Sequence, residues 1–355
     1  MIIPKNNRGI ALLVTLSIIT ILVAVTLEMN RKMRSAVFSA AATRDRNTLL
    51  NMASSGIEIG KAMLVKDKND SNTDSLQEDW AESEKISEVL EDIPFEKGTI
   101  DLTIGDELGK IQINSLVQFP DGHSFNESQR IMWEQFLSGL TSQNESFGDL
   151  EPLTIINSVK DWLDSGDDDA ITGLNGAESD YYQDLDPPYT CKNGPMTHIG
   201  ELPLIRGITP ELLKGAGGVS GLSDYITVFG MSKTADHTFT YEGKININTA
   251  DLPTLAAILP LGSEYLAQAI YDYRQETSES KYVHDLSSPT WYKRAPGMGN
   301  INIDSDLITT SSDFFRIESV ATLNEMKVKI KTVVKREKNQ KTGKWICRVL
   351  RWETE

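Results

Sequence analysis

The longest uncharged apolar stretch of the chain runs from Ile10 to Leu27, 18 residues with Lys5 and Arg8 before it and Glu28, Arg31, Lys32 and Arg34 after it. At about 1.5 Å per residue it makes a helix of roughly 27 Å, enough to cross a bilayer core. A secretory signal peptide has a shorter apolar stretch ending at small residues. Here Arg31, Lys32 and Arg34 stand between the run and Ser39, Ala40 and Ala41. Beyond these charges Leu50, Ala53, Ile57 and Leu64 recur at heptad-like offsets, and no proline falls between Lys5 and Pro94. The spacing predicts one helix continuing to about Lys66, with an apolar stripe that packs on a sheet or another helix. The polar residues Asp67 to Asn72 end it.

A different period follows. Thr99 to Ile104 and Lys110 to Asn114 alternate, with Gly105 and Gly109 between them, which predicts a hairpin or two short strands. Phe314 to Ala321, Glu325 to Lys335 and Trp345 to Trp352 alternate again, and predict half-buried antiparallel strands. The Lys-rich stretch Lys335 to Lys341, with Gly343 beyond it, reads as a solvated turn. Between the two strand groups, Asn114 to about Asp304 reads mainly helical, so an α-rich insertion into a β framework is the simplest topology. Within it, Glu201 to Ile208 and Lys244 to Ala250 each introduce a short helical hairpin.

Composition narrows the functions open to this architecture. The 355 residues carry 35 Lys plus Arg against 51 Asp plus Glu, a formal charge of −16, which disfavours a partner held through its phosphates. Two cysteines, Cys191 and Cys347, exclude a disulfide-dense scaffold or a four-thiolate zinc site, and leave open whether the two pair. The four histidines, His123, His198, His237 and His284, lack metal-ligand spacing, and no nucleophile motif or phosphate-cradling glycine loop is present. An enzyme is not expected.

The densest chemistry lies between Asp161 and Asp186, where nine acidic residues occur without a basic one. Such a segment repels itself unless water or a cation screens it. Hard carboxylate oxygens suit Ca²⁺, though the ligand alternation of an EF-hand is missing. Gly166 and Gly176 would let the backbone turn so that Asp164, Asp167, Asp169 and Glu178 converge. The alternative is a solvated acidic loop.

Arg8-Gly9 followed at once by Ile10-Ala11-Leu12-Leu13-Val14 resembles a type IV prepilin leader. The resemblance implies that a prepilin peptidase cuts after Gly9, so that Ile10 becomes the first mature residue. Most pilins carry Glu at the fifth mature position, and here that position is Val14. This departs from the common pattern or selects the pseudopilin class without the glutamate. The run from Ile245 through Leu261-Gly262 to Arg274 looks like a helix-hairpin-helix of the kind found in competence DNA receptors. Glu264, at the second helix start, puts a carboxylate where phosphate would sit, which predicts a packing or docking role rather than DNA contact.

The ordered series of motifs is more specific than any one of them. Ala53-Ser54-Ser55-Gly56-Ile57-Glu58, Ser75 to Ala81, Ile113 to Val117, Asp161-Trp162-Leu163-Asp164, Gly176-Ala177-Glu178, Tyr181-Tyr182, Glu201-Leu202 and Ile245 to Ala250 resemble the general secretion pathway protein K family over nearly the whole chain. These are minor pseudopilins of type II secretion. The resemblance implies an α+β, pilin-like fold with a long N-terminal helix, an antiparallel sheet and a large helical insertion of helix-hairpin-helix or SAM-like type. It divides the chain into a leader (1–9), a transmembrane segment (10–27), the rest of the helix (28–66), the first part of the core (67–113), the insertion (114–304) and the C-terminal strands (305–355). It also implies one pass through a bacterial inner membrane with the C-terminal bulk in the periplasm, Ca²⁺ in the insertion, and no nucleic acid partner. The implied place is the pseudopilus tip, beside the I and J minor pseudopilins, and the helix stripe of Leu50, Ala53 and Ile57 is expected to line that contact. The alternatives are a minor pilin of a type IV pilus, or a membrane-tethered helix-hairpin-helix receptor for DNA or an exported substrate.

Overall fold

The structure is a computed structural model that describes all residues except 1–7, 94, 96, 143–146, 148–150, 167–170, 234–237 and 280. One helix, α1, spans Arg8–Asp70, 63 residues and about 95 Å at the α-helical rise. It ends four residues later than the expected Lys66, because the Asp67 and Lys68 side chains face partners on the folded body and keep the last turn wound. Its two halves differ. From Ile10 to Phe38 the apolar side chains are exposed, whereas Leu49, Met52, Ala53, Ile57 and Leu64 are buried.

That buried stripe lies on a four-stranded antiparallel sheet of β1 (Thr99–Asp106), β2 (Phe314–Leu323), β3 (Met326–Lys338) and β4 (Trp345–Thr354), in that spatial order. The register runs from Thr99 opposite Thr322 to Asp106 opposite Phe315, and a bulge at Val333/Val334 bends the β3–β4 pair. Alternate residues Phe315, Ile317, Val328, Ile330 and Val334 meet the helix in one hydrophobic core, which α2 (Ser83–Glu91) and Trp80 cover at one end. Close approach depends on Gly56 and Gly60. A Cβ at Gly56 would lie 2.2 Å from Ser319 Oγ, and one at Gly60 2.9 Å from Ile317 Cγ2.

The insertion has its own core, from Ile111 to Ile308. It is built on α3 (Glu127–Ser142), α4 (Pro152–Leu163), α5 (Leu252–Ile258) and α6 (Ala267–Gln275), tied together by strand pairs two or three residues long. Of a hairpin or two short strands, the structure has two strands, and the one at Ile111 does not pair with β1. Ile111–Gln112 pairs in parallel with Ile226–Thr227, and Ile111, Gln112 and Ile113 are all buried, so the alternation marked no solvent face. The buried core of the insertion thus includes Ile111 and Ile113. One expectation is corrected: Arg336, Glu337 and Lys338 continue β3 and are not part of a solvated turn, and Arg336 is completely buried.

Candidate functional site

The two cores are joined by a clamp of buried polar groups. Arg336 Nη1 donates to Asp67 Oδ2 at 2.9 Å and to the Leu64 carbonyl at 3.1 Å, while Nη2 donates to Asp74 Oδ1 and to the Ser312 carbonyl. Asp74 also accepts the Ser312 N–H at 2.8 Å. From the insertion, Asn246 Nδ2 donates to the Asp74 carbonyl at 2.9 Å and to Asp106 Oδ2 at 2.8 Å, and the Thr249 hydroxyl donates to the same Asp106 oxygen at 2.7 Å. Asn248 continues the clamp, with Nδ2 on the Asp74 carbonyl and Oδ1 accepting from Trp291 Nε1 at 2.7 Å. The Asn-Ile-Asn-Thr-Ala run, which the sequence suggests as the lead-in to a hairpin, is therefore the hinge between the two bodies. Burial pushes the Asp106 carboxyl up to about 6 against four hydrogen bonds that pull it down. Burial and the neighbouring Asp74 likewise raise Asp67 to about 6 in spite of Arg336.

In the insertion, the last turn of α4 and the start of the helix Ser179–Gln183 bring Asp161, Asp164 and Glu178 together, with ligand oxygens within 4.8 Å of one another. All three side chains are buried. Asp161 accepts N–H groups from Thr172 and, at 2.8 Å, from Ala177, and burial raises its pKa. Lys160 gives its ammonium to Asp164 at 2.6 Å. Gly176 acts by closeness rather than by turning, since a Cβ there would lie 2.1 Å from Asp161 Oδ2. Of the four expected ligands the structure brings Asp164 and Glu178 together, and Asp167 and Asp169 lie outside the described residues. Asp161, not among the expected ligands, belongs to the same cluster. Its signal was its position one helical turn before Asp164, which puts both carboxylates on one face of α4. Three buried carboxylates whose oxygens lie within 4.8 Å of one another offer hard oxygen donors, a set that fits a divalent cation with oxygen ligands.

The expected partner stripe is corrected. Ala53 and Ile57 are completely buried in the protein's own core and Leu50 is half-buried against it, so the sheet, not another chain, covers them. Gly9 and Ile10 sit on the exposed start of α1, and a Cβ built on Gly9 meets nothing within 4 Å. In the helical hairpin, Glu264 Oε1 accepts the Gly262 N–H at 2.9 Å, so a carboxylate occupies that hairpin amide. Cys191 and Cys347 are both free, one in each core.

A long N-terminal helix, bare in its first half, where it is long and apolar enough to cross a membrane, and seated on an antiparallel sheet in its second, defines a pilin-like fold, here enlarged by a helical insertion. The family model described as type II secretion system (T2SS), protein K, matches residues 109–217. Type II secretion system protein K of Aeromonas hydrophila is 23% identical over 346 residues, 95% of each chain. That of Klebsiella pneumoniae is 26% identical over 293 residues, 81% of each chain. A chain of the crystal structure of the GspK-GspI-GspJ complex from enterotoxigenic Escherichia coli superposes with a TM-score of 0.60 at 18% identity, covering 89% of this chain and 99% of that one. The chain is thus similar to type II secretion system protein K over nearly its whole length.

Proposed function

We propose that the protein is the minor pseudopilin that caps the type II secretion pseudopilus, assembled with I and J minor pseudopilins and anchored by Ile10–Leu27 with its bulk in the periplasm. The carrying observation is the division of α1, whose apolar N-terminal half has no covering among the described residues, while one face of its second half is buried on the sheet. A surface of that length needs lipid first and other helices afterwards. The helical insertion adds a second body to one end of a pilin-like core, which suits a subunit with none stacked above it. Val14, more than half exposed, supplies no carboxylate for the terminal amine of such a neighbour.

Processing and assembly test this together. Expressed with a prepilin peptidase, the chain should begin at Ile10 by mass spectrometry, and with I and J subunits it should elute as a 1:1:1 complex. A retained Met1, or a start near Ala42, overturns the reading.

Ca²⁺ is the ion proposed for the insertion, held by Asp161, Asp164 and Glu178. It would neutralise their mutual repulsion and lock the end of α4 to the following loop. Mg²⁺, which keeps its waters and demands a smaller octahedral cage, should do less.

A further inference from the structure

A groove of about 690 Å³ runs beside the last turns of α1, floored by Ile59, Ala62 and Met63 and walled by Val89 and Ile93. The walls are substantially open, Val89 being 36% and Ile93 40% exposed. We propose that this groove docks the apolar face of a helix from a neighbouring subunit, and that this helix carries a lysine or arginine against Glu78. The inference deepens the pseudopilin reading and rests on it.

Two observations select that occupant. The first is charge. Among the described residues, Asp67, Asp70, Glu78 and Asp79 line the groove against Lys66 alone, which reaches Asp79 at 3.6 Å. Of the neighbouring cations, Arg336 from β3 is committed to Asp67 and Asp74, and Lys68 stands 4.0 Å from Asp74. On the outer side, α2 and its flanks add Glu82, Glu84, Glu88, Glu91 and Asp92 against Lys85, itself paired with Glu88. Glu78 accepts the Ser75 N–H at 3.0 Å and Trp80 Nε1–H at 2.9 Å, and has no ion pair among the described residues. A cation entering the groove meets a surplus of carboxylate, whereas an acidic segment is repelled.

The second observation is continuity. At about 100° per residue, Met33, Val37, Ile59, Ala62 and Lys66 fall within about 80° of one another on the unbroken helix. Met33 and Val37 are exposed on the bare half. A rod lying along that half therefore runs on into the groove, which a loop or small molecule would not do.

Burial, with Asp67 close by, raises Glu78 to about 7. For a group titrating there, the ionised share falls about tenfold from pH 8 to pH 6, so a partner that needs the carboxylate should bind about tenfold more weakly at pH 6. The test uses the full chain co-expressed with prepilin peptidase and the I and J subunits, with a photo-crosslinking residue at Met63 or Val89 and a control at Leu174 on the insertion. We expect crosslinks from 63 and 89 to one of those subunits, a pH 8 to pH 6 loss of about tenfold in affinity, and for Glu78→Gln only the smaller loss that Asp67, raised to about 6, can give. An intact complex with no subunit crosslink from 63 or 89, or with crosslinks only to lipid or to a second copy, overturns the groove while leaving the pseudopilin assignment standing. Subunit crosslinks with the same pH profile for Glu78→Gln as for wild type overturn the pairing of Glu78 with a cation. Failure to isolate any complex overturns both readings.

Discussion

The two bodies of this protein are stabilised in opposite ways. The pilin-like core is an apolar helix stripe on an apolar sheet face, in which Leu49, Ala53, Ile57, Phe315, Ile317 and Ile330 interdigitate and two glycines set the spacing. The insertion has the larger apolar core, yet its loops are closed by buried polar groups: the Asp161 carboxylate on the Thr172 and Ala177 amides, the Asn114 amide on Met196, and the Asn246–Asn248 hinge. Non-directional burial tolerates exchange of one apolar side chain for another, whereas a directional buried network fails when one member is removed. Damage should therefore be graded in the first body and abrupt in the second and at the hinge.

The largest effect is expected at the hinge. Arg336→Ala leaves Asp74 fully buried and Asp67 mostly so, both without their guanidinium, and removal of one partner of a buried pair costs about 3–5 kcal/mol. Melting of the purified full chain should fall by many degrees. Arg336→Met in a chain that also carries Asp74→Asn should recover much of that loss. If Arg336→Ala melts like wild type, the clamp is dispensable and the two bodies hold together by apolar contact alone.

Next comes the acidic cluster. A ligand that binds only the native state stabilises it by RT ln(1 + [L]/Kd), about 2.7 kcal/mol at a hundredfold excess over Kd. Melting in 1 mM Ca²⁺ should exceed melting in chelator by several degrees, exceed that in Mg²⁺, and lose the increment in Glu178→Ala. Equal melting in all three solutions would mean that the insertion keeps its carboxylates together without a metal.

What was legible in the sequence follows the same division. Period and polarity fixed α1, β1 and the three C-terminal strands to within a few residues, because a helix or strand with one buried face must alternate. Neither the insertion's first strand nor the clamp at Arg336 was legible by period. Ile111 to Asn114 alternates in type but is buried on every side, and Arg336 sits in a lysine-rich stretch that looks solvated until Asp67 and Asp74 are brought to it from far away in the chain. At the acidic site the sequence showed the segment and two of its converging residues, Asp164 and Glu178, but not Asp161, because an acid on a helix carrying Ile155, Val159 and Trp162 reads as its wet face until the loop at Gly176 closes over it. The same blindness assigned Ala53 and Ile57 to a partner. An apolar stripe says that something covers it, not what.

A smaller effect sharpens the account of the apolar body. Gly56→Ala places a Cβ 2.2 Å from Ser319 Oγ and 3.1 Å from Ser319 Cβ, so α1 must lift from the sheet, at about 1–3 kcal/mol for overpacking. Ser319→Ala removes the nearer atom, a buried hydroxyl without a hydrogen-bond partner among the described residues, and should by itself be nearly neutral. The double variant should recover part of the loss, giving a favourable coupling that two independent sites would not show. Strict additivity would mean that the helix does not approach the sheet as closely here as Gly56 allows.

The smallest effect distinguishes the hinge from the apolar body by pH. The Asp106 carboxyl titrates near 6 in the folded chain against an ordinary value of 3.8, because burial outweighs the bonds from Ser312, Thr249, Asn246 and the Leu108 amide. Between those two values the native state binds more protons than the unfolded chain, so this group's contribution is full below pH 4 and is lost as pH rises through about 6. Asp106→Asn keeps the side chain's shape and removes the titration. Wild type should therefore lose stability relative to Asp106→Asn between pH 4 and pH 6.5, by on the order of 1 kcal/mol once the relaxation of a buried site is allowed for. The two pH profiles should run parallel above that window. Ile317→Val, in the apolar core and remote from the hinge, should shift the whole profile without changing its shape. A wild-type profile parallel to that of Asp106→Asn throughout would mean that the hinge carboxylate is already ionised at pH 4, held there by Asn246 and Thr249 more strongly than burial opposes it.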